Sequence, residues 1–269
     1  MKSDVINRSG TQWDHITFSG FEGEAKPSKS MLTLLGREVQ WDDAGKNEDN
    51  PSGVHLRFEK IDERTAPEGV VVARYRVFAE GAPENTIYGL RTWVVGKEES
   101  SDPTDLYVNG QGLLMIHKPK PEQETRFSAG DDEFHIMPIA GNAEPIRYLL
   151  FSMDGRLEIY GTLVPHPVMA EDQGCSIEAR IAQPDAAAVL IIVNRFAPKS
   201  KVPVVLKSEG KLASEVLSTD ANGHAVLADF PYVTGKTQGM LKASAEGEKC
   251  LPSVTLPWGP SGPVAAKVP

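Results

Sequence analysis

Alternation of apolar and polar side chains at every second position is the feature that most narrows the folds open to this chain. In "CSIEARIA", Cys175, Ile177, Ala179 and Ile181 share one face, while Ser176, Glu178 and Arg180 share the other. In "VVVARYRVFAE", Val71, Ala73, Tyr75 and Val77 oppose Arg74, Arg76 and Phe78. "VHLRFEK" sets Val54, Leu56 and Phe58 against His55, Arg57 and Glu59. "RLEIYGTLV" sets Leu157, Ile159 and Leu163 against Glu158, Tyr160 and Val164. A period of two belongs to the β-strand, whose successive side chains point to opposite faces. One apolar and one polar face is what an antiparallel sheet needs when it covers a core on one side. The 24 glycines and 20 prolines fall between these short stretches. The expectation is an all-β protein of two β-sandwich domains.

The boundary between the domains is expected in "VPHPVMAEDQG", residues 164–174, where two prolines and a polar run interrupt the ladder before a new strand opens at Cys175. This divides the chain into an N-terminal arm (1–30), a sandwich (31–165), a second sandwich (174–259) and a tail (260–269). The arm, with Val5, Ile6, Trp13, Ile16 and Phe18, is too apolar for a solvated segment. Two fates are open to it: donation to the unpaired sheet edge of a neighbouring copy, or folding back on its own chain.

Charge narrows the partners. With 28 Lys and Arg against 37 Asp and Glu, the net charge is −9, and the basic residues are scattered. Nucleic acid and anionic lipid call for a concentrated basic face, so no nucleic-acid partner is expected. The longest apolar run, "AAAVLIIV" (Ala186 to Val193), has the length of one buried strand and falls short of the roughly 18–20 residues of a membrane span. No membrane insertion is expected. "MKSDVINRSGTQWDHITF" has no apolar signal-peptide region. Either the protein is cytoplasmic with Met1 as its native start, or Met1 replaces a removed leader.

From Cys175 onward the sequence reads as a succession of short strands, with "TDANGH" expected as a hairpin turn in which Asn222-Gly223 supplies positive φ angles. The pairing of "NRFAPKSKVPV" with the later "STDANGHAVLADFPYV" resembles bacterial immunoglobulin-like modules. Phe196, Pro198, Val202, Asp220 and Gly223 match, with Asn194 and Lys199 standing where those modules usually carry glycine. The likeness covers about the last third of the chain, and it implies an immunoglobulin-like fold without implying a ligand. "ARYRVFAEGAPENTIYGLRTW", "YVNGQGLLMIH" and "AEPIRYLLFSMDGRLEIYGTLVPHPV" resemble the first half of uncharacterised secreted two-domain bacterial proteins, whose second module ends in "PWG", here Pro257-Trp258-Gly259. No activity and no functional residue come with that resemblance.

In such a module Cys175 opens the first strand and Cys250 the last, and these are the two cysteines of the chain. First and last strands often lie close, so a disulfide is expected, which points to an oxidising, extracellular or cell-surface location. The alternative is two buried thiols in a cytosolic core.

Signatures of chemistry are sparse. The chain contains no G-x-S-x-G, and "NGQGLL" (Asn109 to Leu114) lacks the third glycine and the helix of a dinucleotide fingerprint and reads as a turn. "GDDEFH" gathers Asp131, Asp132, Glu133 and His135, the densest set of metal-ligand types, without the spacing of a calcium loop. The competing reading is a solvated turn leading into a strand. Asp42-Asp43 and Glu98-Glu99 lie in polar runs and read as exposed. Among the tryptophans, Trp93 is expected as a core plug, Trp258 ends the last strand, and Trp41, in "VQWDDAGKNEDN", is the candidate for ligand stacking. No cofactor is expected. The leading expectation is a non-enzymatic extracellular or surface protein of structural or adhesion type, whose partner is another protein or copies of itself through β-edge contacts. A pair of carbohydrate-binding modules is the alternative, and a hydrolase with a site between its domains is the next.

Overall fold

The structure is a computed structural model that describes residues 17–20, 50–65, 71–94, 100–101, 105–117 and 132–260, with backbone alone for 17–20, 71, 100 and 101. Apart from one 3-10 turn at Pro184–Ala186, the regular structure among these residues is all strand. The strands begin with β1 (Thr17–Gly20), β2 (His55–Thr65), β3 (Val71–Glu80) and β4 (Tyr88–Val94). Five short ones follow: β5 (Ser100–Ser101), β6 (Leu106–Val108), β7 (Leu114–Ile116), β8 (Asp132–Glu133) and β9 (His135–Ile136). Next come β10 (Ile146–Ser152), β11 (Glu158–Leu163), β12 (Val168–Asp172), β13 (Cys175–Ile181) and β14 (Val189–Asn194). β15 (Lys201–Ser208), β16 (Lys211–Ser218), β17 (Ala225–Phe230), β18 (Gly239–Ala245) and β19 (Ser253–Trp258) complete the series.

The chain folds as two compact units. One is built from Trp41–Ala140 and Ile146–Pro165, the other from Met1–Gln40, Gly141–Pro145 and His166–Ala265. In the first unit, a sheet in the order β11-β10-β4-β6-β7-β8, with β5 on β4, accompanies a three-stranded sheet β2-β3-β9. The alternation in β3 does what its period requires. Ala73, Tyr75, Val77 and Ala79 join a core with Leu90, Leu114, Ile146, Tyr148, Leu150 and Ile159. Full burial of a large aliphatic or aromatic side chain contributes about 1.5–3 kcal/mol, so this row holds the unit together. Gly161 allows β11 to close on β2, because a Cβ there would stand 2.7 Å from Leu56 Cβ. "NGQGLL" forms the turn between β6 and β7, where Asn109 Oδ1 accepts from the amides of Gln111 and Leu113.

The second unit pairs a sheet β1-β17-β14-β13-β12 with a sheet β16-β15-β18-β19. Ile177, Ala179 and Ile181 of β13 face inward, and across the ladder they stand opposite Val193, Ile191 and Val189. Val202, Val204 and Leu206 of β15 answer them, together with Leu241, Ala243, Val254 and Leu256. Trp258 is 1% exposed and donates its indole N–H to Ser208 Oγ at 2.9 Å, and Ser208 donates onward to the Pro231 carbonyl. This polar chain satisfies the indole, which would otherwise lose a hydrogen bond on burial.

Two tight hairpins set the register here. Gln173-Gly174 joins β12 to β13, and Glu209-Gly210 joins β15 to β16, with both residues of each pair at positive φ. "TDANGH", by contrast, is not a hairpin. It carries the chain from β16 in one sheet to β17 in the other. Of Asn222 and Gly223, Gly223 alone has positive φ, at 77°. Asp220 holds the loop by accepting the amides of Asn222 and His224, and a Cβ on Gly223 would stand 2.0 Å from the Phe196 carbonyl oxygen. The physical reason is that turn residues encode a local reversal, while the sheet that receives the next strand is decided by distant burial.

The N-terminal stretch contributes β1, which runs parallel to β17 of its own chain with Thr17 opposite Leu227 and Gly20 opposite Phe230. The rest of residues 1–30, and the tail beyond 260, lie outside the described residues.

Cys175 and Cys250 form a disulfide with Cα atoms 6.2 Å apart, closing a loop across 75 positions of sequence. It joins β13 in one sheet to the segment that leads into β19 in the other. In the chain-entropy account a loop of this size is worth about 4 kcal/mol. Cys250→Ser, or reduction, is therefore expected to lower the denaturant midpoint by an amount equivalent to about 3–4 kcal/mol. Thiol titration of denatured, unreduced protein should find no free thiol.

Candidate functional site

Three features are built from polar or exposed groups: a charged ladder on the first unit, a carboxyl buried in the core of the second, and an open strand edge.

The ladder lies on the outer face of β2, β3 and β9. Register places His55 opposite Glu80, Arg57 opposite Phe78, and Glu59 opposite Arg76, with Arg76 also opposite His135. Side chains of alternating sign then connect along the face. His55 Nε2 meets Glu80 at 2.9 Å, Arg57 Nε donates to Glu80 at 2.6 Å, and both Arg57 and Arg76 reach Glu59 at 3.3 Å. Arg76 Nε donates to Glu133 Oε1 at 2.5 Å, and His135 Nε2 approaches the same oxygen at 2.8 Å. Phe78, the apolar member of this face, lies beneath Arg57, whose guanidinium carbon is 3.9 Å from the ring centroid.

The electrostatic consequence is that both terminal carboxylates are held ionised. The hydrogen bond from Arg57 holds Glu80 below the usual carboxylate range. Burial pushes Glu133 up, but hydrogen bonds from His135 and Arg76 outweigh it and bring it below its usual value. Carboxylates so answered are poor general bases. Exposed pairs of this kind each contribute little to stability.

Of the four cluster residues singled out in the sequence, the structure brings Glu133 and His135 together, with the Arg76 guanidinium beside them. Asp132 is exposed on β8, and Asp131 lies outside the described residues. Among the described residues no group of three or more His, Cys, Asp or Glu is arranged to hold a metal ion. Trp41 and Trp13 lie outside the described residues, as do Asp42-Asp43 and Glu98-Glu99. Trp93, expected as a core plug, is half-buried on β4, and its register partner on β10 is Arg147 rather than an apolar residue.

Asp229 was not singled out by sequence, although the pattern contains it. Ala225, Leu227 and Asp229 fall on one face of β17, and register aligns Asp229 with Val189 of the core row. The residue is fully buried, and neither carboxyl oxygen has a hydrogen-bond partner. Burial drives its pKa up to about 7, the nearby Phe230 amide offsets part of this, and the charge of Glu215 adds to it. A carboxyl so placed is held as the neutral acid below about pH 7.

The open edge is β16. On its outward face Leu212 and Val216 are 71% and 53% exposed. No strand among the described residues pairs with its outer side, and β1 of the other sheet comes close to it without pairing.

No protein-family model and no curated protein matches this chain.

The buried carboxyl generates a prediction with a definite sign. The native state binds the Asp229 proton more tightly than the unfolded chain, so unfolding free energy falls as pH rises between about 4 and 7. The slope contributed by this group should reach at most about 1.4 kcal/mol per pH unit. Thermal melts across this range should show the decline, and Asp229→Asn should remove that component.

Proposed function

We propose that the protein is a non-enzymatic extracellular or cell-surface protein of structural or adhesion type, in which a stapled β-sandwich presents strand edges to another protein or to copies of itself. The observation that carries this reading is the edge of β16, eight residues long and flanked on the outward face by exposed Leu212 and Val216. Exposed, regular, apolar edges are templates for strand addition, and proteins that do not use them usually blunt them with charge, proline or a bulge. The Cys175–Cys250 bond supports an oxidising location, since such bonds persist outside the reducing cytosol. The resemblance to immunoglobulin-like modules fits the same reading, because such modules serve widely as rigid display units. Among the described residues no helix is long and apolar enough to cross a membrane.

The arm provides the test. In the single chain β1 covers the outer edge of β17. Deleting residues 2–20 bares that edge, and light scattering is expected to report a higher mass for the shortened protein than for the full chain. A folded, shortened protein of unchanged mass would count against assembly through edges and leave β1 as an ordinary closing strand.

A further inference from the structure

We propose that β16 pairs antiparallel with β16 of a second copy of this chain, about a two-fold axis through Ser214. The proposal rests on the edge-contact reading above and gives it a partner and a register.

The hairpin geometry determines which backbone groups are available. Ser208 and Lys211 close the two-residue turn and form a hydrogen-bonded pair, and hydrogen-bonded pairs then recur at every second position. The same parity reappears at the far end, where the Thr219 amide donates to the Ser200 carbonyl. Lys211, Ala213, Glu215 and Leu217 therefore spend their amides and carbonyls on β15. Those of Leu212, Ser214 and Val216 point away from β15 to the open side. These same three residues carry the outward side chains, so backbone and side chains offer one continuous docking strip without a charge, a proline or a bulge. The opposite edge of the sheet differs, since β19 contains Pro257.

A two-fold axis allows few registers. Outward-pointing residues must face outward-pointing residues, and most of the strand must overlap. Two arrangements meet both conditions, one centred on Ser214 and one on Glu215. Centring on Glu215 sets the two Glu215 carboxylates directly opposite each other, which is destabilising. Centring on Ser214 sets Leu212 against Val216 of the second copy twice over, Ser214 against its own counterpart, and Ala213 against Glu215. Every outward amide and carbonyl from Leu212 to Val216 then finds a partner, and two apolar cross-strand pairs flank the axis. The strip is self-complementary, which is the signature of an isologous two-fold contact. An interface of this size belongs to the weak, concentration-dependent class.

The axis can be trapped chemically. Hydrogen-bonded antiparallel partners have Cα atoms about 5.5 Å apart, within the range a disulfide spans. Under mild oxidation, full-length Ser214→Cys is expected to become a covalent dimer on a non-reducing gel. Ser218→Cys, also exposed but remote from the axis along both chains, is expected to stay single. Ser214→Pro removes an amide that β15 does not use, so melting and the native disulfide should persist. The mass by light scattering at high concentration should then fall from near that of two chains to that of one. Should Ser214→Pro unfold, the doubly charged Leu212→Lys/Val216→Lys variant replaces it. Crosslinking of Ser218→Cys as readily as Ser214→Cys, or a dimer that survives Ser214→Pro, overturns the proposal. If the full chain dimerises while Ser214→Cys fails to crosslink, this register falls and edge-mediated self-assembly stands. A full chain that is monomeric at every concentration overturns the pairing itself and leaves the edge to a different protein.

Discussion

In a sheet, every interior strand has its backbone satisfied by two neighbours, and an edge strand by one. An all-β chain therefore leaves its unsolved hydrogen-bonding problem at the edges, and the second unit is organised around that constraint. One sheet gains β1 beyond β17, which moves β17 from the margin to the interior. That position suits a strand whose six residues are all buried. The other sheet has β19 with its proline on one side and β16 on the other. The unit thus manages its edges by different means.

The disulfide acts at right angles to those ladders. Backbone hydrogen bonds hold strands together within a sheet, whereas the two sheets of a sandwich adhere through side-chain packing alone. Cys175 and Cys250 add a covalent link in that direction. The first unit has no described counterpart. There β3 serves both purposes: its inward row packs the core, and its outward row supports the ladder from Glu80 to Glu133.

Legibility in the sequence follows how local each determinant is. The burial of Ile177, Ala179 and Ile181, or of Ala73, Tyr75 and Val77, was readable because a period of two is a property of one strand. The bond between the cysteines was expected from their place at the module's first and last strands, yet β12, inside the stretch 164–174 expected as the boundary, precedes β13 in the same sheet, and Cys250 lies just ahead of β19. The loop at Asp220–Gly223 was readable as a reversal but not as a change of sheet, because nothing in four residues states which strand comes next to which. Trp93 was expected in the core from its setting in "IYGLRTWVV", whereas its cross-strand partner Arg147 places it on the polar side. Asp229 was legible and overlooked. A lone acid at a core position of an apolar run is the kind of local inconsistency that marks a site under a special constraint. The ladder was half-legible, since the Asp131–His135 cluster pointed to charge density but could not reveal that Arg76, from a distant strand, would occupy its middle. The parallel docking of β1 had no local signal, being only four residues long.

That docking has a temporal side. Thr17 leaves the ribosome well before its partner Leu227, which lies far downstream in the chain. The arm must remain unspent while the whole intervening unit is made and folds. Closure of this sheet therefore belongs to the end of folding, when long-range pairings that reward no earlier step are formed. Until then β17 is bare, and a newly made chain passes through a period in which a strand from any neighbour can take the place reserved for its own β1.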